Sequence, residues 1–333
     1  MQKQIYFLLS LAILFCSACE DLEPQEDEQP QVTEHQFTDK ILYSKNPNGH
    51  NELYLLDDGE ESPIMSDPSY DYWWAKVSPN KNKLLVYRSA VDPAKDHDNY
   101  PNAELILADI DGTNQSIIVE KNAFDWNAQG VARWNKDGTK ILMCAEVETV
   151  SGLQWRLVTT DNNGNNPKIL SDRWAIDCNY SIDNSKIVFM GFKDNNLTFD
   201  LTKLELQQGD YDAVTDTITN IVSLTSNSTR DHDPDYSPDN TKIVFSGGTA
   251  IYDNVDLKIY DVDTQTESTI LDDSSANGGS MCWSADGQYI FFHSIEFLKT
   301  PFRIKCIHVE TGQQSTLLKI DDNSHGFFHP EAY

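Results

Sequence analysis

Basic charge is scarce in this chain. Its 25 Lys and Arg stand against 53 Asp and Glu, a formal net charge of −28. Such a surface repels a phosphate backbone, which excludes nucleic acid as a partner, and acidic side chains of this kind serve solubility. Cysteine is also sparse: six residues, and the four beyond Cys19 form no Cys-x-x-Cys pair. Cys144, Cys178, Cys282 and Cys306 fall in expected strands and read as buried free thiols. Cys282 and Cys306 belong to the first and third strands of one unit, about twice the ~4.8 Å strand spacing apart, too far for a disulfide. No apolar run is long enough to span a membrane comfortably as a mature helix; the longest, Ile5 to Phe15, is short. Catalytic signatures are missing too. The lack of a Gly-x-Ser-x-Gly elbow argues against an attached serine peptidase, and no phosphate loop, His-Glu-x-x-His or dinucleotide fingerprint occurs.

What the chain has is repetition. Five copies of one pattern, and a partial sixth, recur about every 50 residues, the mark of stacked units that cannot bury their apolar faces alone. The clearest copy runs from Asp233 through Tyr236-Ser237-Pro238-Asp239-Asn240 to Ile243-Val244-Phe245. Val77, Trp134, Tyr180 and Trp283 lead the other copies, each seven residues before the first aliphatic of the next strand. Ser-Pro-Asp-Asn suits a tight turn: Pro presets φ, Asp bonds the local backbone, and Asn or Gly accepts positive φ. The apolar run that follows does not alternate, so it reads as a strand covered on both faces. Third-strand runs such as Leu105-Ile106-Leu107 and fourth-strand runs such as Ile117-Ile118 complete each unit. Polar turns such as Asp109-Ile110-Asp111-Gly112 lie between them and read as hairpin turns, since they do not complete a calcium loop.

Four strands per unit and six units predict an all-β, six-bladed β-propeller with antiparallel blades. The chain enters at a second strand, Lys40 to Tyr43, and ends at a first strand, His329 to Tyr333. Pairing of these two closes the ring and removes two exposed sheet edges. The repeat resembles the TolB-type, WD40-like propeller repeat over roughly residues 36–333. The separate α/β domain of TolB itself has no counterpart here, so its role in an envelope complex is not carried over.

Residues 1–18 read as a signal peptide, with Lys3 before the apolar stretch. Cys16-Ser17-Ala18-Cys19 resembles a bacterial lipobox, which makes Cys19 the expected lipidated terminus. Residues 19–35 are an acidic, Pro-containing tether ahead of the propeller at 36–333. The acidic run resembles the surface-export signal of Bacteroidetes lipoproteins. The expected location is the outer membrane, held by the lipid anchor alone and facing either the periplasm or the exterior.

Propellers bind at a channel mouth, and the fold class directs attention to the loops that enter the first strands. These carry Trp73, Trp74, Trp126, Arg173, Trp174, Asp177, Arg230, Asp231, His232, Asp233, His325 and His329. The long connection Ser89 to Asn102 adds Asp96, His97, Asp98 and Tyr100. Aromatic faces with Arg suit a glycan, peptide or protein partner. The expected protein is a monomeric, lipid-anchored envelope binding module rather than an enzyme. The alternative is a metal-dependent lyase or hydrolase acting on uronate polysaccharide, since oligogalacturonate lyases have a related propeller with a His-bound metal. No cofactor is otherwise expected; the candidates for a divalent metal are His232, His325 and His329, with acids nearby. The tryptophans serve equally as packing, and Trp134, Tyr180, Tyr236 and Trp283 are repeat positions that pack.

Overall fold

The recurring turn folds as its residues dictate. In Ser237-Pro238-Asp239-Asn240, the Ser237 hydroxyl donates to Asp239 at 2.6 Å and accepts the Lys242 N–H at 2.9 Å. Asn240 takes the left-handed conformation at φ 63°, and its N–H returns to the Ser237 carbonyl at 2.9 Å. Asn184 and Gly287 occupy the same left-handed position in their copies. Where Asn135 replaces the Ser, its amide oxygen accepts both Thr139 and Lys140 N–H groups at 2.9 Å. These turns also latch neighbouring units together. Asn240 accepts the Ile182 N–H at 2.7 Å, and Asn184 that of Lys136 at 2.8 Å.

The computed structural model describes residues 38–92, 98–192, 204–226, 230–248, 255–272, 276–296, 303–318 and 325–333, without the side chains of 276–279, 295–296 and 325–328. The signal segment 1–18, Cys19, the tether 19–35 and the loop residues Asp96 and His97 lie outside them. Thr38–Tyr333 forms one unit made of six four-stranded antiparallel sheets.

The first blade, in sheet order, is β24 (His325–Ala332), β1 (Ile41–Asn46), β2 (Glu52–Asp57) and β3 (Glu60–Met65). The second is β4 (Tyr70–Val77), β5 (Lys83–Ala90), β6 (Glu104–Asp109) and β7 (Ser116–Val119). The third is β8 (Ala128–Trp134), β9 (Lys140–Thr149), β10 (Gly152–Asp161) and β11 (Lys168–Ile169). The fourth is β12 (Ala175–Tyr180), β13 (Lys186–Phe192), β14 (Leu204–Asp212) and β15 (Thr217–Ser223). The fifth is β16 (Arg230–Tyr236), β17 (Lys242–Gly248), β18 (Val255–Asp261) and β19 (Thr266–Leu271). The sixth is β20 (Ala276–Trp283), β21 (Tyr289–Glu296), β22 (Arg303–His308) and β23 (Gln314–Leu318).

Ring closure is as the sequence predicts. β24 pairs antiparallel with β1, Ile41 opposite Ala332, and Lys40 and Tyr333 exchange backbone hydrogen bonds of 3.2 and 3.0 Å. First strands contact one another in the order β24, β4, β8, β12, β16, β20 and back to β24, so they surround a common axis.

The second strands supply the core. Leu84 to Tyr87, Ile141 to Cys144, Ile187 to Phe189 and Ile243 to Phe245 are each shielded from solvent on both faces. Every such Val, Leu, Ile or Phe contributes about 1.5–3 kcal/mol relative to exposure. The leading aromatics bind across the blade boundary. Trp134 Nε1 donates to the Lys76 carbonyl at 3.2 Å, and Trp283 Nε1 to that of Asp235 at 3.1 Å. The polar hairpin turns close tightly on their neighbours as well. A Cβ on Gly112 would stand 2.1 Å from the Ile64 carbonyl oxygen, and one on Gly164 2.1 Å from that of Ile118. All four described cysteines are free and buried; Cys144 and Cys178 face each other across a blade boundary with sulfurs 3.5 Å apart.

Candidate functional site

Besides a second shift in β24, between the partners of Lys45 and Asn46, each first strand is interrupted once, at an equivalent place. Its register against the second strand shifts between Trp73 and Lys76, Gly130 and Arg133, Ile176 and Asn179, His232 and Asp235, Gly279 and Met281, and, in β24, between the partners of Leu42 and Ser44. At each shift one non-glycine residue has positive φ: Trp74, Val131, Asp177, Asp233, Ser280 and His329. Bulges of this kind re-aim side chains, and the left-handed conformation is costly for β-branched Val131. The bulge residue always stands three places before the leading position of the repeat. The residue one place before that position forms a second column: Lys76, Arg133, Asn179, Asp235, Cys282 and Glu331. Two rings of side chains therefore surround the axis.

The bulge ring is a hydrogen-bonded cluster. His329 is buried, with Nδ1 2.7 Å from the Ser280 hydroxyl, Nε2 3.1 Å from Asp98, and its ring edge-on to Trp74 at 4.9 Å. Tyr100 donates to the same Asp98 at 2.9 Å, so the Ser89 to Asn102 connection reaches the axis. The Tyr100 ring packs closely against Gly130, where a Cβ would stand 2.6 Å from it. Asp233 bonds His232 Nδ1 at 2.8 Å and accepts the Ser280 N–H at 3.3 Å. Burial and the neighbouring Asp233 charge push Asp177 up to about 8, against the pull of Arg230 and Arg133. Burial opposes ionisation of Asp233 too, but its bond to His232 and the fields of His329 and His293 hold it well below the usual carboxylate range. One proton is thus kept on Asp177 while Asp233 stays charged.

The other ring lines a cavity of about 370 Å³ at the end of the axis formed by the Ser-Pro-Asp-Asn turns. Lys76 and Glu331 pair at 2.5 Å with both side chains largely buried, and Glu331 also accepts the Val77 N–H at 3.3 Å. Asp235 accepts the Asn179 amide and, at 3.4 Å, the Trp283 N–H. Burial pushes Asp235 up to about 6, moderated by Arg133 and Lys76. Burial raises the Cys282 thiol far above its ordinary value, so it remains protonated.

The entry-loop residues named from sequence divide into two groups. Trp74, Asp177, His232, Asp233 and His329 meet at the axis. Trp73 is stacked on Tyr87 at 6.2 Å, Trp126 lies against Phe124 at 4.9 Å, and Trp174 against Phe192 at 4.9 Å; all three tryptophans are buried. Arg173 reaches Gln207 at 3.4 Å, and fully buried Asp231 accepts the Thr225 hydroxyl at 2.5 Å. Arg230 is partly buried at the start of β16 and acts on Asp177 through its charge. The His325 side chain lies outside the described residues. Among the described residues no group of three or more His, Cys, Asp or Glu is disposed to hold a metal ion. Sequence reasoning missed Ser280, His293 and the whole cavity ring. The signal for Ser280 and the cavity ring was the two fixed offsets from the leading position; for His293, on a second strand, there was none.

No family model matches the sequence, and no curated protein is similar to it. Solved structures share the fold. TolB from Acinetobacter baumannii is similar with a TM-score of 0.68 and 15% identity, over 89% of this chain and 67% of that one. A protein assigned as a TolB from Agrobacterium tumefaciens gives 0.63 and 16%, over 89% and 97%. An oligogalacturonate lyase in complex with manganese gives 0.55 and 14%, over 85% and 75%. The chain is a six-bladed β-propeller. Its fold is similar to that of the TolB structures.

Proposed function

We propose that this protein is a binding module of the bacterial cell envelope, anchored through a lipid on Cys19, that receives a peptide or protein segment in its axial cavity. The carrying observation is the cavity itself, about 370 Å³, walled by a ring of one side chain from each of the six blades, five of them polar and the sixth Cys282. That size falls in the range of ligand pockets, and a few fixed polar groups on an aromatic-lined wall give orientation. Envelope location rests on the Lys3 and Ile5–Phe15 segment, the Cys16 to Cys19 sequence and the acidic tether. The lyase alternative has support from shared fold alone, which does not carry function.

Peptide display on the full chain tests this reading. Ile182 and Ala285 are exposed turn residues at the cavity rim, and the double variant Ile182→Trp/Ala285→Trp narrows the mouth without touching the core. Peptides selected by the wild type should lose most of their binding to this variant. If selection yields no peptide, or the narrowed variant binds as well as the wild type, the cavity is not the receiving surface.

A further inference from the structure

Among the described residues, Arg133 is the one charged member of the cavity ring with no hydrogen-bonding counterpart. It stands on β8 and retains only 8% of its exposure, yet it lines the cavity. Its Nε and Nη1 find no acceptor among the described residues. The acids its charge acts on are taken, Asp235 by Asn179 and Trp283 and Asp177 by the proton it keeps, and Glu331 of the same ring is engaged with Lys76 and Val77. A guanidinium is always charged and offers a planar fork of five donors, so burial without acceptors is an unfavourable arrangement for a purely structural residue. The side chain is nonetheless held in place, its guanidinium 4.5 Å from the Trp74 ring centroid. Trp74 is fixed in turn by its indole N–H to the Ala132 carbonyl at 3.4 Å. One face of the fork is stacked and fixed before any ligand arrives, which lowers the ordering cost of binding.

We propose that the cavity is a carboxylate-binding site whose anchoring donor is Arg133, and that the carboxylate belongs to a polypeptide. The proposal deepens the channel reading above and rests on it. Ring order supplies the specificity. Blade by blade it runs Lys76, Arg133, Asn179, Asp235, Cys282, Glu331, so Cys282 faces Arg133 across the axis with an acid on each side. A polyanion would meet Asp235 and Glu331 as soon as it passed Arg133. A single carboxylate followed by neutral main chain meets only the fork, and the amides that trail it face the acids as donors. Bidentate pairing with Arg is the geometry that recognises a carboxylate as distinct from an amide.

Three probes separate the sources of that carboxylate: N-acetyl-diglycine with a free terminus, its amide, and N-acetyl-glutamic α-amide. Trp134 and Trp283 line the cavity, so their fluorescence reports occupancy on the full chain. The free acid should saturate at low millimolar concentration and its amide bind roughly tenfold more weakly or worse. Arg133→Met should bring the ratio of acid to amide close to one, and Arg133→Lys should keep part of it. Binding by the glutamyl probe equal to that of the free acid assigns the site to acidic side chains, and binding by the free acid alone assigns it to chain termini; either supports the proposal. Equal binding of acid and amide, selectivity that survives in Arg133→Met, or no saturation by about 30 mM overturns it. Peptides selected by display that bind the wild type and Arg133→Met alike would leave the channel reading standing and remove this one. Arg133-dependent binding of the probes with no peptide ever selected would do the reverse.

Discussion

Asp177→Asn should stabilise the propeller, and the gain should depend on pH. Asp177 holds a left-handed bulge position that Asn adopts at least as readily. Its carboxyl moves from an ordinary value of 3.8 to about 8 on folding, through burial and the ionised Asp233 beside it. Below pH 4 both folded and unfolded chains carry the proton, and the group contributes nothing. As pH rises from 4 towards 8 the unfolded chain gives up its proton while the folded one keeps it. Stability is therefore lost across that window, and the loss is complete above about 8. Each pKa unit is worth about 1.4 kcal/mol, so the ceiling is on the order of 5 kcal/mol. Asp177 keeps part of its surface towards the channel, so roughly half of that is the expected gain for Asn at pH 8.5. For a unit the size of Thr38–Tyr333, 1 kcal/mol moves the melting temperature by roughly 2 °C. Melts of the two proteins should then coincide near pH 4 and differ by about 4–6 °C at pH 8.5. An equal gain at both pH values, or a less stable Asn variant at pH 8.5, would show that Asp177 is not the protonated member of the pair.

Three further outcomes follow from the packing. Glu331→Gln leaves the buried Lys76 ammonium without its counter-charge at the closing blade, and urea titration should find a loss of about 3–5 kcal/mol; a loss near zero would mean that closure does not depend on this pair. Gly112→Ala and Gly164→Ala drive a Cβ into the carbonyl of the preceding blade, whereas Gly312→Ala meets nothing within 4 Å. Thermal melts should therefore cost the first two at least about 2 kcal/mol more than the third, and three equal losses would rule out tight inter-blade seating. Arg133→Met trades a stacking contact worth about 1 kcal/mol for relief of unpaired buried donors. Its stability should stay within about 1 kcal/mol of wild type, and a loss above about 2 kcal/mol would mark the arginine as structural.

The blades were legible because their rules are local. Ser-Pro-Asp-Asn builds its turn from its own side chains, and the uninterrupted aliphatic run after it declares a strand covered on both sides. Even closure could be read, since a lone first strand at His329 to Tyr333 has to complete a blade that begins without one. The cavity was not legible in the same way. Its ring stands at a constant offset, yet the residues there are Lys, Arg, Asn, Asp, Cys and Glu, with no shared chemistry for the eye to follow. Their meaning arises only when six blades face a common axis. The contact between Asp98 and His329, 231 positions apart, carries no sequence signal at all. The entry loops drew attention through their aromatics, most of which are packed away. At the other end, among the Ser-Pro-Asp-Asn turns, a cavity opens on the axis.

Closure by β24 ties recognition to completeness. Lys76 and Glu331 meet across 255 positions of sequence, so this side of the pocket wall is assembled from an early segment and a very late one. Contacts that distant form slowly and only after the intervening chain is organised. A molecule with five blades in place has an open groove where the finished one has a socket. A ligand of the socket, as proposed above, would consequently distinguish mature protein from a partly folded form.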